Sequence, residues 1–153
     1  MTATSSRHEF LKTPFFPAGM PQPEPSHPLV KGFYDACSEG RLVVQCCNNC
    51  GTVQHPPEVV CHRCHRLDMG WKEVAGRGHV YTYTIVWNPA HPALREFVPY
   101  NVCLVQLDDE PDFYLLSNVV DAKPEEIAIG MPVEVVFERT EDDLVQPRWR
   151  RRT

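Results

Sequence analysis

Cys46-Cys47-Asn48-Asn49-Cys50-Gly51, followed by Cys61-His62-Arg63-Cys64, places two Cys-x-x-Cys pairs ten residues apart. Each pair can set two thiolates on one side of a tight turn, and two such knuckles facing each other close a tetrahedron. Gly51 follows its knuckle directly, where a residue free to take positive φ is useful. Four thiolates suit zinc and leave no open coordination position, so Cys47, Cys50, Cys61 and Cys64 predict a structural metal site rather than a catalytic one. Iron in a four-thiolate site uses the same spacing. Two disulfides would need an oxidising compartment, and a thioredoxin-type pair would be a single motif at a helix start. Cys46 could replace Cys47 only in a knuckle one residue longer. His62 and His65 are surplus beside four sulfur donors.

The 153 residues suffice for one ordinary domain or two very small ones. A formal charge of -5 argues against generic binding to a phosphate backbone. No apolar run is long enough to cross a bilayer, and residues 1–28 lack the basic-then-apolar order of a signal peptide. Seven cysteines, four of them in the knuckles, fit a reducing cytoplasm. Cys37 and Cys103 fall in apolar patterns and read as small core residues.

Residues 1–27 form a proline-rich extended arm, with Pro28 opening the next segment. Proline removes amide donors and disfavours helix before it. The arm reads equally as a disordered tail or as a strap along a partner, anchored by Phe10, Leu11, Phe15 and Phe16. Residues 28–70 hold a helix and the ribbon. Leu29, Phe33, Ala36 and Cys37 follow helical spacing, with Ser26 as a candidate N-cap and Gly40 as the stop. Residues 41–45 are a short strand into the first knuckle. From Trp71 the pattern turns to β, and residues 71–150 supply five strands. In the first, residues 79–87, strict alternation puts Val80, Thr82, Thr84 and Val86 on one face and Tyr81, Tyr83, Ile85 and Trp87 on the other. Residues 88–99 are a loop, and Pro124 to Ile127 a helical turn between the third and fourth strands. This order fits an OB-type Greek-key barrel, and periodicity alone does not separate it from another small barrel. Residues 151–153 end a basic tail beginning at Arg148. It reads as solvated, or as a contact for a partner's acidic patch or for a phosphate such as the 3′-phosphate of CoA.

The order of these pieces matters: helix, Cys47 to Gly51, Pro56-Pro57, Cys61 to Cys64, Trp71, Gly76 to Thr82, Pro99-Tyr100, and Ile129 to Phe137. Across residues 28–150 it resembles the acyl-CoA-associated zinc-ribbon/OB-fold family. The resemblance implies a mainly β chain: an N-terminal helix and rubredoxin-like zinc ribbon, then a five-stranded OB-fold barrel. It also implies a non-catalytic accessory subunit of a thiolase-fold enzyme, in a two-plus-two heterotetramer with acyl-CoA at the interface. The implied reaction is retro-aldol cleavage of a β-hydroxyacyl-CoA in steroid side-chain degradation, with an enoyl-CoA hydratase as a further partner. Carbon acylation of phloroglucinols, and a complex of acetoacetyl-CoA thiolase with hydroxymethylglutaryl-CoA synthase, are the alternatives. The four cysteines carry over as zinc ligands. Phe33, Tyr34, His79, Trp87, His91 and Tyr100 are the candidates for the partner surface or acyl-CoA tunnel.

No acid–base pair stands at a telling spacing, so the isolated chain is expected not to turn over acyl-CoA. An OB barrel can also bind single-stranded nucleic acid through aromatics and a basic groove. Here the strand connections are acidic and positive charge collects only near the C-terminus. Tyr81, Tyr83 and Trp87 read as one face of a barrel strand, in core or interface, ahead of ligand stacking.

Overall fold

The computed structural model describes residues 7–153. The first six residues of the expected arm lie outside it. Helix α1, Lys31–Ser38, buries Ala36 and Cys37. It ends where expected. Gly40 takes φ +72°, its amide reaches the Cys37 carbonyl at 2.9 Å, and the Arg41 amide reaches Ala36 at 3.0 Å. That pair of reversed bonds closes the last helical carbonyls. The start differs from expectation. Ser26 does not cap α1, because its amide and hydroxyl both turn back to Glu24 Oε1. Val30 is the N-cap, without a side-chain cap bond.

The ribbon sheet consists of β1 (Val43–Cys47), β2 (Val53–Gln54) and β3 (Met69–Glu73), in the antiparallel order β2-β1-β3. Trp71, where the sequence turns to β character, lies in β3 opposite Gln45 of β1. Its indole lies against α1 so closely that a Cβ on Gly32 would overlap it.

The barrel comprises β4 (Arg77–Val86), β5 (Tyr100–Leu107), β6 (Tyr114–Ser117), β7 (Pro132–Arg139) and β8 (Val145–Arg151), in the order β6-β5-β4-β7-β8. The two edges meet through a parallel bridge between Val119 and Trp149. The Val120 amide reaches the Trp149 carbonyl at 2.8 Å, and the Trp149 amide reaches Asn118 at 2.9 Å. A curled five-stranded sheet joined this way is an OB-type barrel. A 3-10 turn at Pro124–Glu126 sits between β6 and β7, where the helical turn was expected.

One core runs through both parts. Val80, Val105, Phe137 and Trp149 of the barrel join Cys37, Leu42 and Val44 from the helix and ribbon. Burial pushes the Cys37 thiol up to about 12 and the Cys103 thiol to about 11, so both are protonated core residues.

The alternation expected in β4 breaks. The register against β5 shifts between Val80 and Thr82, leaving Tyr81 as an extra residue. Beyond this bulge the faces exchange: Val80, Tyr83 and Ile85 lie opposite the inward Val105, Cys103 and Asn101. Thr82 and Thr84 therefore do not share a face with Val80. Tyr81 lies outside, its ring 4.9 Å from that of Tyr114.

The arm lies on its own barrel. β4 pairs with β7 only over Arg77 to His79. Past that point Phe10 bridges to Phe137. The Leu11 amide bonds the Phe137 carbonyl at 2.7 Å, and the Phe137 amide bonds Glu9 at 2.9 Å. The arm thus takes the hydrogen-bonding edge that β4 leaves. Phe15 and Phe16, read from sequence as anchors for a partner, pack within the chain against Phe97.

The basic run also differs from a solvated tail. Arg148 is 8% exposed and lies 2.6 Å from Glu138, which is 1% exposed. Gln146 donates to the same carboxylate, and the Phe15 amide donates to Glu138 Oε2 at 2.7 Å. Arg150 pairs with Glu9 and Glu134, Arg151 with Asp121 and Glu126, and Arg152 with Asp108. Each of these cations has an acidic partner within the chain, and Arg148 is the one that is buried.

Arg148→Ala would leave Glu138 buried without its cation, a loss of about 3–5 kcal/mol for broken pairs of this kind. Arg150→Ala removes two more exposed pairs, with Glu9 and Glu134, and should cost about 1 kcal/mol. Urea unfolding of the two variants should therefore separate clearly. Equal midpoints would contradict the burial assigned to Arg148.

Candidate metal centre

Two knuckles of matching backbone geometry build the centre. In the first, the Gly51 amide bonds the Cys47 carbonyl at 2.9 Å, and the Cys47 amide bonds Thr52 at 2.9 Å. In the second, the His65 amide bonds the Cys61 carbonyl at 3.0 Å, and the Cys61 amide bonds Arg66 at 2.9 Å. Gly51 has φ +73° and His65 has φ +59°, so His65 occupies the left-handed position that glycine fills in its counterpart. A non-glycine residue there costs on the order of 1 kcal/mol, which the surrounding turn must hold in place.

These turns bring Cys47, Cys50, Cys61 and Cys64 together, with their sulfur atoms all within 4.8 Å of one another. Cys47 Sγ lies 3.5 Å from Cys64 Sγ, and Cys50 Sγ 3.6 Å from Cys61 Sγ. Four sulfurs around one zinc at about 2.3 Å would stand about 3.8 Å apart, so the donor set fits a tetrahedral ion. All four are free cysteines. Cys46 stands apart, near the Gly51 carbonyl. His62 and His65 are outside the cluster, and His62 Nδ1 instead lies 3.0 Å from Gln54 Oε1.

The electrostatics favour thiolate at two positions. The Thr52 hydroxyl and amide bring Cys50 down to about 6, and the Arg66 amide lowers Cys64. At Cys47 the Cys50 amide pulls downward, but burial and the adjoining Cys64 and Cys50 thiols outweigh it and leave the group near 11. Four thiols at this spacing cannot all ionise unaided. A cation among them removes the conflict.

Two buried glutamines hold the second knuckle in register, and the sequence reading missed them. Gln54 Nε2 donates to Gln45 Oε1 at 3.0 Å and to the Val60 carbonyl at 3.1 Å. Gln45 Nε2 donates to the Glu58 carbonyl at 2.9 Å, and the His62 amide donates to Gln54 Oε1 at 3.1 Å. A polar residue at an inward strand position was the available signal, since buried amides need partners.

The candidate surface residues do not form one cluster. Phe33 and Tyr34 make an edge-on pair on α1, with Phe33 against the core. His79 lies near the start of β4, 3.5 Å from Asp108. Trp87 follows the other end of that strand, roughly 25 Å away by strand rise, and is 72% exposed. His91 accepts the Ala93 amide and so caps a 3-10 turn, Pro92–Leu94. Tyr100 stacks edge-on against Phe16 at 5.2 Å. Among the described residues, no helix is long and apolar enough to cross a membrane.

A four-cysteine ribbon followed by an OB-type barrel defines the class. Residues 35–70 match the family described as "ChsH2, rubredoxin-like zinc ribbon domain", and residues 71–138 match "ChsH2, C-terminal OB-fold domain". The chain is 37% identical over 118 residues to the "Probable enoyl-CoA hydratase alpha subunit" of Thermomonospora curvata, covering 77% of this chain and 36% of that protein. The chain thus spans about a third of that relative's length. It is 37% identical over 101 residues to the "DUF35 domain-containing scaffold protein" of Methanocaldococcus jannaschii, covering 63% of this chain and 67% of that protein. A solved chain of "Ltp2-ChsH2(DUF35) aldolase" superposes with a TM-score of 0.74 at 34% identity, covering 84% of this chain and 98% of that one. The chain belongs to the DUF35 family of zinc-ribbon/OB-fold proteins.

Replacing Cys61, which is fully buried, with serine should lower bound metal and destabilise the ribbon. Metal contributes on the order of 10 kcal/mol in small zinc-folded peptides. Elemental analysis of protein purified without chelator should show close to one equivalent in the parent chain. Less than about one-third of an equivalent there would remove the assignment.

Proposed function

We propose that this chain is a non-catalytic accessory subunit of a thiolase-fold enzyme acting on acyl-CoA, and that Cys47, Cys50, Cys61 and Cys64 hold one structural zinc. The observation that carries the reading is the likeness to the DUF35 chain of an aldolase over nearly all of that chain. The residues are consistent with it. Four sulfur donors leave zinc no position for substrate. His91 is spent on a turn, and Tyr100 sits within an aromatic cluster.

The outer face of β4, β5 and β6 supports docking. Thr82, Leu104 and Leu116 align across it by register, with Tyr81 and Tyr114 beside them. Leu116 is 63% exposed. An outward sheet face in water is ordinarily polar, whereas interface centres are uncharged and aromatic. A cleft of about 410 Å³, lined by His55, His62, Leu104, Phe113 and Leu116, continues this face to the second knuckle.

In this reading two copies flank an enzyme dimer, and the loop of residues 88–99 borders the acyl-CoA. The reaction is retro-aldol cleavage of a β-hydroxyacyl-CoA, with a steroid side chain as the acyl class. The hydroxyl loses its proton, the Cα–Cβ bond breaks, and the thioester enolate takes up a proton, all on groups of the partner. An enoyl-CoA hydratase, the namesake of one relative, is a second partner. The likeness to a scaffold protein favours a second reading, in which the chain bridges a thiolase and a hydroxymethylglutaryl-CoA synthase.

Co-expression with a thiolase-fold aldolase from the same source, followed by size-exclusion chromatography, should give one peak containing equal amounts of both chains. Cleavage activity should appear in that peak and in neither protein alone. Separate elution at micromolar concentration, with the enzyme fully active by itself, would end the accessory-subunit reading.

A further inference from the structure

The loop of residues 88–99 satisfies its own backbone only locally. The amides of Leu94, Arg95, Phe97 and Val98 bond carbonyls of His91, Pro92 and Leu94. Such a loop has many internal arrangements of similar energy unless something outside it selects one. The buried Leu94 anchors the loop at one point, and the arm supplies further contacts. Phe97 meets Phe15 at 5.3 Å, at an interplanar angle of 89°, and Phe16 at 5.4 Å. Phe16 also meets Tyr100, the residue at which the chain re-enters β5, at 5.2 Å and 89°. One ring therefore touches both the last turn of the loop and its exit. Nearby, Gly19 approaches the 3-10 turn, where a Cβ would stand 3.9 Å from Ala93.

The arm itself is fastened on charged and backbone groups. The Arg148 guanidinium lies 5.2 Å from the centre of the Phe16 ring and 6.0 Å from that of Phe15. Glu138 holds the Phe15 amide with one oxygen and Arg148 with the other. Upstream, His8 bonds Gly40, and Leu11 bonds Phe137. Arm, barrel and loop are thus joined in series: Glu138 and Arg148 seat Phe15 and Phe16, and those rings seat Phe97 and Tyr100.

We propose that residues 8–16 are a clamp that sets the conformation of the 88–99 loop, with Phe16 as its positioning residue. Its consequence for ligand rests on the reading above, in which the loop borders acyl-CoA. Phe16 is then remote from any chemistry and acts only through the loop. Loss of its ring frees the loop without altering the metal centre, and a complex assembled from such a chain binds CoA less tightly.

Amide hydrogen exchange on the full chain alone tests the clamp. Phe16→Ala should speed exchange at Leu94, Phe97 and Val98 at least tenfold, while the amides of β7 and β8 stay as in the parent. Phe97→Ala, made from the loop side, should do the same even if Phe16→Ala folds poorly. The double variant should add nothing, and Phe16→Tyr should restore protection. Unchanged loop exchange in both single variants, or a rise spread equally over β7 and β8, overturns the clamp. In the co-purified complex, Phe16→Ala should raise the Kd for free CoA about tenfold, with Phe16→Tyr restoring it. Faster loop exchange with an unchanged Kd keeps the clamp and counts against the placement of the loop beside CoA.

Discussion

Four sulfur atoms within 4.8 Å of one another cannot all carry charge unless a cation stands between them. The rest of the ribbon depends on that constraint. β2 is two residues long, and the second knuckle makes no strand of its own. A hairpin of that size has no independent stability. What fixes it is the convergence of both knuckles, backed by the Gln45 and Gln54 amides that tie residues 58–62 to β1 and β2. β1 then carries this order into the core, because Leu42 and Val44 sit in the same apolar cluster as Val80 and Trp149. Ribbon and barrel thereby share one apolar core.

A second constraint operates beneath the arm. Glu138 and Arg148 lie on the outer surface of β7 and β8, yet the arm covers them almost completely. Desolvating two charges is expensive, and attraction offsets it only with good geometry and saturated hydrogen bonds. Both conditions hold here. Arg148 reaches Glu138 and Asn118, while Glu138 also accepts from Gln146 and from Phe15. The Phe15 bond makes the pair specific for a docked arm, since without it one carboxylate oxygen would lack that donor. Arg148, in a run of arginines that looks like a solvated tail, is thus an internal fastening.

Cysteine spacing made the metal centre legible, because ligand chemistry fixes both residue type and separation. Strand order was legible for a similar reason: turn residues punctuate apolar runs at regular intervals. Three features were hidden by their nature. The bulge at Tyr81 adds one residue without changing composition, so strict alternation assigns Thr82 and Thr84 to the wrong face. The arm binds through backbone groups and through rings whose partners lie about 80 to 130 residues away, a separation that periodicity does not encode. The buried glutamines differ from exposed ones only by context. Ser26 shows the converse error, since a residue suited to capping found a nearer acceptor in Glu24.

The arm and the outer face of β4, β5 and β6 meet the same geometric problem. β4 and β5 continue past the start of β7, from residue 81 to residue 86, with β6 alongside only as far as Tyr83 and Cys103. The end of that pair, Thr84 to Val86 against Tyr100 to Val102, is two-stranded and marginal in water unless its side chains find cover. At the end beside the loop, Phe16 and Phe97 cover Tyr100. On the outer face Leu116 is 63% exposed, and Trp87 projects 72% exposed beyond the two-stranded end. A self-contained barrel would gain by making these positions polar or by shortening the pair. In the proposed complex a partner would cover the remaining side of this uncharged extension, and the proposed clamp would hold the loop next to that contact.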